Sequence, residues 1–402
     1  MATFVGVGFS EKKDPFLAAQ EAAKLALYQL HHREVTLAIL FSTIHFADKR
    51  LIEGLTYSLG NIKIIGSTGA ALITNKGISS YGVGVMLLNS DVITLGTGST
   101  FNINLKSARE SGEDFAHQAL KNLSSAQRNL ALIFCDGLVE NGSDMLRGIK
   151  DVLGLSFPIV GGSSADNFRF YRTFQYSNTG ASSDSLVGTV FAGENIFGIG
   201  VRHGWKPLGK PRPITEVKGN VIKKIDGRPA VSIYEDYFSK TRAEIERQLI
   251  RMSTYYPLGL YVPGETEYLL RNALRIDSDG GLVCQGDASE GAEARIMMGT
   301  KEWALDAATQ AAEEAKAALA NKEIRGALVF ESISRVKLLG RLTEKEISRI
   351  KDVLGDVPIL GICTYGEQAP LKSLEHYGET YFHNETLAIL TIGEPHAHPK
   401  HI

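Results

Sequence analysis

Cysteine is scarce: Cys135, Cys284 and Cys363 are odd in number, widely separated, and form no C-x-x-C pair. That excludes a disulfide framework and a thiolate zinc site. Long apolar runs are missing too, since segments such as 35–41 fall far short of the roughly 18 residues a membrane helix needs. No membrane association is expected. The opening MATFVGVGFSEKKD lacks the basic-then-apolar order of a secretory signal, which points to the cytoplasm. Neither sign of charge dominates: 43 Lys and Arg stand against 45 Asp and Glu, a net charge of −2. With no basic run interleaved with aromatics, nucleic acid is not an expected partner. There is no H-E-x-x-H motif, carboxylate cluster or phosphate loop, and the glycine pairs at 6–8 and 96–98 lack the third glycine of a dinucleotide motif. No metal or cofactor is expected. The histidines at 396, 398 and 401 read as part of a disordered tail, 394–402.

What remains is an ordinary globular composition, 44% hydrophobic and 22% charged over 402 residues, enough for two or three domains. Its main feature is internal similarity. IKDVLG followed by LSFPIVGGSSAD (149–166) parallels IKDVLG followed by DVPILGICTYGE (350–367), and LTYSLGNIKIIGSTGA is a weaker third copy. In each, a helix-period segment ends at glycine and a short apolar strand runs into a Gly-rich turn. Upstream lie buried-strand candidates at 35–41, 129–135 and 326–332, preceded by helix candidates at 14–30, 108–121 and 301–320. Asp14 and Pro15 read as an N-cap and first helical residue. Strand-like segments at 6–9, 92–98 and 295–300 open the units, and others at 81–88, 185–192 and 385–392 close them.

The expected fold is therefore α/β, built of repeated strand-helix-strand-helix-strand-strand units with an inserted α+β subdomain. The insert is placed at 204–293, because Gly161 and Gly361 lie about twice as far apart as Gly66 and Gly161. It starts at GWKPLGKPRP, whose prolines mark a loop or boundary, and holds one helix candidate over 236–252. The division is 1–203, with two units, and 204–393, with the insert and a third unit over 294–393.

Aligned on their glycines, the turns begin Gly66-Ser67-Thr68, Gly161-Gly162-Ser163 and Gly361-Ile362-Cys363, with a hydroxyl or thiol third each time. Glycine permits left-handed backbone and close ligand approach, while hydroxyl and peptide N–H groups supply donors at a strand end. The second and third turns add acids, Asp166 and Glu367. A pocket with acceptors on one side and donors on the other suits the ammonium and carboxylate of an amino acid, with Arg335, Arg271 or His203 as carboxylate partners. The expected binding residues are Ser163, Ser164, Asp166, Arg335, Cys363, Thr364, Tyr365, Glu367 and Asn384. A competing reading is a hydrolase or acyl-transferase with Ser163 or Cys363 as nucleophile, because GGSSA (161–165) is one residue from G-x-S-x-G. Its possible bases, His203 and His383, sit in no recognisable motif.

GSTGAALI (66–73), PIVGGSSADNF (158–168), GWKPLG (204–209), VIKKIDGRPAVSIYEDYF (221–238), YPLGL (256–260), GICTYGE and HNETLAIL (383–390) occur in an order and spacing that resembles the FIST (F-box and intracellular signal transduction) family over nearly the whole chain. The resemblance places a FIST N-terminal part near 25–203 and a C-terminal part near 204–370. It implies a sensory protein that binds a small, amino-acid-like ligand and signals through a separate protein, and the leading reading of this chain is non-enzymatic. Family members often carry a form like F-S-C-x-x-R; here Phe330-Glu331-Ser332-Ile333-Ser334-Arg335 keeps the arginine and has Ser332 at the cysteine position.

Overall fold

The computed structural model describes residues 2–139, 141–265, 267–320, 322–371 and 378–394. The tail from 395 onward, expected to be disordered, lies outside them. The first unit contains β1 (Thr3–Ser10), α1 (Pro15–Gln29), β2 (Leu37–Thr43), α2 (Arg50–Leu59), β3 (Ile64–Gly69), the hairpin strands β4 (Leu72–Thr74) and β5 (Gly77–Ser79), and β6 (Val83–Ser90). The second repeats it as β7 (Ile93–Phe101), α3 (Ala108–Lys121), β8 (Arg128–Cys135), α4 (Gly142–Leu153), β9 (Ile159–Ser163), hairpin β10 (Gln175–Ser177) and β11 (Gly180–Ser182), and β12 (Ser185–Gly193). The third begins at β13 (Phe197–Arg202) and is then interrupted.

The insert comprises β14 (Trp205–Lys218), β15 (Val221–Ile225), β16 (Arg228–Pro229), α5 (Ser232–Phe238), α6 (Arg242–Tyr255), β17 (Leu258–Leu260), β18 (Leu269–Arg271), β19 (Ala273–Ile276), β20 (Leu282–Cys284) and β21 (Glu293–Gly299). The third unit resumes with α7 (Lys301–Ala317), β22 (Glu323–Ser332), α8 (Ile333–Leu339), α9 (Thr343–Leu354), β23 (Ile359–Thr364), hairpin β24 (Gly366–Pro370) and β25 (Thr380–His383), and β26 (Leu387–Glu394). The α/β class and its repeated units are thus present.

Three details differ from expectation. Residues 295–300 do not open the third unit: β21 pairs with β14 in the insert sheet, and β13, paired with β26, takes the unit's outer position. The Pro-rich 207–213 is not a loop but part of the long strand β14, whose register slips between Leu208 and Arg212. Such an irregularity accommodates residues that cannot donate to a ladder. The single helix expected at 236–252 is two, broken where Ser239 adopts a φ of 50° and Thr241 starts α6 with a capping box to Glu244.

Each unit supplies four strands of a six-stranded sheet, and the hairpin of another unit supplies the last two. The orders are β1-β6-β2-β3-β10-β11, β7-β12-β8-β9-β24-β25 and β13-β26-β22-β23-β4-β5, so unit two completes unit one, three completes two, and one completes three. This exchange is closed. In each of these three sheets the inner pair is parallel, β2 with β3, β8 with β9, and β22 with β23. Helices cover one face of each sheet through Ala18, Ala22 and Ala26, through Phe115 and Ala119, and through Ala308, Ala311 and Ala315. The opposite faces share one core in which Phe41, Phe134 and Phe330, at matching positions, meet with ring centroids 5.3, 6.2 and 6.5 Å apart. With both faces covered, the central strands read as continuous apolar runs.

The glycines taken as turn residues lie inside strands. At Gly66 and Gly161 a Cβ would sit 1.8 and 1.9 Å from the carbonyl oxygens of Leu40 and Ile133 on the parallel neighbour; at Gly361 it would be 2.8 Å from Val329. Glycine is needed there for strand approach, and none of the three has a left-handed φ.

Each exchanged hairpin is latched to the start of the strand it joins. Ile64 N–H donates to Asn178 Oδ1 at 3.0 Å, Ile359 N–H to Asn75 Oδ1 at 2.8 Å, and Ile159 N–H to Thr380 Oγ1 at 3.1 Å. Asn75 also donates to Val357 O at 2.7 Å. Replacing Asn75 by Ala strands two backbone groups, and the expected loss is about 1–3 kcal/mol in denaturant unfolding. Unchanged stability would show that the latch is dispensable.

Candidate functional site

The three Gly-rich segments meet around one axis. Ala165 N–H donates to Thr68 O at 3.0 Å, Tyr365 N–H to Ser163 O at 3.0 Å, and Ala70 N–H to Cys363 O at 2.9 Å. These are equivalent atoms in the three units, and the bonds form a ring. The second and third segments, expected to face each other across a ligand, are directly paired: Gly366 lies opposite Ser163 and Glu367 opposite Gly162.

The nine residues expected to bind are buried here. Ser163 Oγ accepts from Gln368 Nε2 at 2.9 Å and lies 3.2 Å from Cys135 Sγ; Ser164 Oγ donates to Cys135 O and accepts from Gln175. Asp166 accepts from the Tyr365 hydroxyl at 2.5 Å and from the backbone N–H groups of Phe170, Tyr171 and Arg172. Burial pushes the Asp166 pKa up, but these donors outweigh it and hold the carboxyl below its ordinary value. Asn384 Oδ1 accepts from Asn272 N–H, which ties the third unit to the insert. Cys363 is buried, and burial with nearby carboxylates raises its thiol pKa well above normal, the opposite of an activated nucleophile.

Arg335 is the centre of a second cluster. Its Nε donates to Glu331 at 2.7 Å, Nη2 to Ala304 O at 2.9 Å, and further bonds reach His203 O and Glu346. The guanidinium thereby clamps β22, α7, α9 and the end of β13. Thr364 Oγ1 donates to Glu367 Oε1 at 2.6 Å, and Glu385 lies close by at a left-handed φ of 57°. Burial raises the pKa of Glu331, Glu346 and Glu367, with repulsion from Glu346 adding to the first. Glu385 is pushed by burial up to about 8, against the side chains of Asn272 and Ser334 and the charge of Arg335.

A cleft of about 680 Å³ opens elsewhere, between α4 of the second unit, the insert and β25. None of the nine residues lines it, but Arg271, one of the three proposed carboxylate partners, does. Arg271 is almost fully buried; Nη1 donates to Phe382 O at 3.0 Å and Nη2 lies 3.4 Å from Asp287 Oδ1. Arg147, from α4, reaches across to Asp287, and Lys150 bonds Glu379 and Thr380 O. Burial would raise the Asp287 pKa, but Arg271, Arg147 and Ser143 lower it further, so it is a carboxylate. Glu290, Glu293 and Tyr261 also line the cleft. Arg147 and Lys150 were missed in the sequence. Their i, i+3 spacing on an amphipathic helix was the available signal, but it says nothing of what the helix faces.

Fold and cleft together define a three-unit α/β protein with an insert facing the second unit across a charged cavity. The FIST N domain profile matches residues 36–228 and the FIST C domain profile residues 230–370, and the chain belongs to the FIST family. Membership suggests a sensory role in signal transduction. An uncharacterized protein of Mycobacterium tuberculosis strain H37Rv is 24% identical over 383 residues, covering 91% of this chain and 95% of its own. One from Methanocaldococcus jannaschii is 29% identical over 180 residues, 42% of this chain and 34% of its own. Among solved structures, cyanuric acid hydrolase from A. caulinodans aligns with a TM-score of 0.41 at 9% identity, covering 97% of this chain and 99% of that one. Among the described residues no helix is long and apolar enough to cross a membrane, and no group of His, Cys, Asp and Glu is arranged to hold a metal ion.

The buried acids give the fold a pH dependence. An acid whose folded pKa lies above its unfolded value of 4.5 contributes stability that is fully present below that value and lost as pH rises through the folded pKa, about 8 for Glu385. The melting temperature is expected to fall between pH 6 and pH 9, and Glu385→Gln to flatten that fall. An unchanged pH profile in the variant would remove Glu385 as a source.

Proposed function

We propose that this protein is a sensory ligand-binding protein whose cleft takes a small molecule carrying both charges, an amino acid or a close derivative. The observation that carries the reading is a cavity of about 680 Å³ walled by α4 from the FIST N region and by the insert from the FIST C region, with cations and carboxylates on its rim. A ligand carboxylate suits the fork of Arg147, whose side chain is 41% exposed, backed by Arg271. An ammonium suits Glu290, Glu293 or Glu379. Hydrocarbon would pack on Leu146, Val262 and Tyr261. A ligand there competes for the Arg147–Asp287 bridge, so occupancy would alter how α4 and the insert are tied, a change a separate signalling protein could read.

The Gly-rich segments support this reading as framework: their hydroxyls and carboxylates are engaged by the protein itself. The same geometry weighs against acyl transfer, because Ser163 faces Cys135 and Gln368 rather than a histidine.

The test is a thermal-shift screen of amino acids, their derivatives and small carboxylates, since a ligand at about 100 times its Kd stabilises by roughly 2.7 kcal/mol. One chemical class is expected to raise the melting temperature, and Arg147→Ala to weaken its binding roughly tenfold. A flat screen, or covalent labelling of Ser163 by a fluorophosphonate, would overturn the proposal.

A further inference from the structure

A different face carries a loop that is strained and positively charged. In Asn167-Phe168-Arg169-Phe170-Tyr171-Arg172, residues Asn167, Phe168 and Phe170 adopt left-handed φ values of 58°, 60° and 49°. Such backbone is unfavourable for side chains larger than glycine and persists only where the surroundings impose it. Here the surroundings are explicit: Asp166 accepts the N–H groups of Phe170, Tyr171 and Arg172, Phe168 N–H donates to the Tyr365 hydroxyl at 2.7 Å, and the Phe170 ring stacks on Tyr365 at 4.8 Å. The result is an aromatic pair held outward, with Phe170 49% and Tyr171 86% exposed. Exposed aromatics fixed by a built support are the kind of group that anchors a partner.

The surface continues through Lys337. Its Nζ lies 4.2 Å from the centre of the Phe168 ring, and the same side chain borders a recess of about 450 Å³ along α6. That recess is lined by Arg247 and Arg251, one helical turn apart, with Ile250 between them 54% exposed. Among the described residues, Lys337, Arg247 and Arg251 have no carboxylate within 4.0 Å; Arg247 Nε donates only to Ala243 O of its own helix, and Arg172, in the loop, donates to Ser183 Oγ and lies over the Phe174 ring. Among the described residues that line the recess, Glu246 is the one acid.

We infer that this face docks an acidic peptide segment of a partner protein, with carboxylates against Lys337, Arg247 and Arg251 and an apolar side chain in the α6 recess beside Ile250. Charge complementarity selects an acidic partner. The concave recess favours a peptide over a bilayer, which could not fill it, and Phe170 is held on Tyr365 rather than free to insert.

The probe is a short fluorescein-labelled peptide rich in Asp and Glu with Leu and Phe at spaced positions, titrated by anisotropy into the full chain. Saturable binding that weakens with salt is expected. Arg247→Glu with Arg251→Glu is expected to weaken it at least roughly tenfold, Tyr171→Ala to weaken it less, and Lys24→Glu on α1 to leave it unchanged, all with unaltered melting temperatures. Four results would overturn the inference: no saturable binding, equal binding of the same peptide with Lys in place of its acids, full affinity in the double variant, or capture by phosphatidylserine vesicles that the double variant abolishes while the peptide does not bind.

Discussion

Three backbone hydrogen bonds, Ala165 to Thr68, Tyr365 to Ser163 and Ala70 to Cys363, close the protein on itself. Each joins the Gly-rich segment of one unit to that of another, and each is followed in the chain by a hairpin that completes the other unit's sheet. A unit folded alone would leave an open edge beside β3, β9 or β23 and the inner face of its sheet uncovered. The three aromatic rings at the centre, Phe41, Phe134 and Phe330, are buried only when all three units are present. Ring closure is therefore the condition under which this central core exists.

Within that closed frame, equivalent positions carry different chemistry. The residue after the central Phe is Ser42 in the first unit, Cys135 in the second and Glu331 in the third. Ser42 lies 2.6 Å from the Tyr176 hydroxyl and Cys135 3.2 Å from Ser163 Oγ, both compact neutral pairs. Glu331 instead brings an ionisable carboxyl into the core, and Arg335 answers it through an i, i+4 pair that also engages Glu346. A buried ion cluster of this sort is weak evidence for net stability, because desolvation offsets the attraction. Its visible consequence is positional: it fixes the third unit's helices around the place where the insert leaves and returns.

The insert interrupts the third unit between its first strand and its first helix, and it has its own core around Ile222, Tyr234, Ile245 and Ile296. Because it is attached there, its sheet stands over α4 of the second unit, and the charged cleft lies between two parts of the chain that are far apart in sequence. The bridges that cross it, Arg147 to Asp287 and Lys150 to Glu379, connect residues more than a hundred positions apart.

The local elements were legible in the amino-acid sequence. The three units, the buried parallel strands, the helices with Asp14 as an N-cap and the importance of the Gly-rich segments all follow from hydrophobic period, capping residues and self-similarity, which are properties of short stretches. Even the hairpins left a trace, an Asn two residues before Gly in both Asn75-Lys76-Gly77 and Asn178-Thr179-Gly180. Tertiary structure alone decided the rest. Glycines that read as ligand-facing turns are close-packed strand residues, because the carbonyls beside them belong to another strand. Asp166 and Glu367 read as ligand acceptors, yet their partners, Tyr365 and Thr364 among them, come from the fold itself. Sequence by itself determined what each unit would be; how the units exchange hairpins, and hence where a cavity is left, depends on contacts between distant residues that no local pattern encodes.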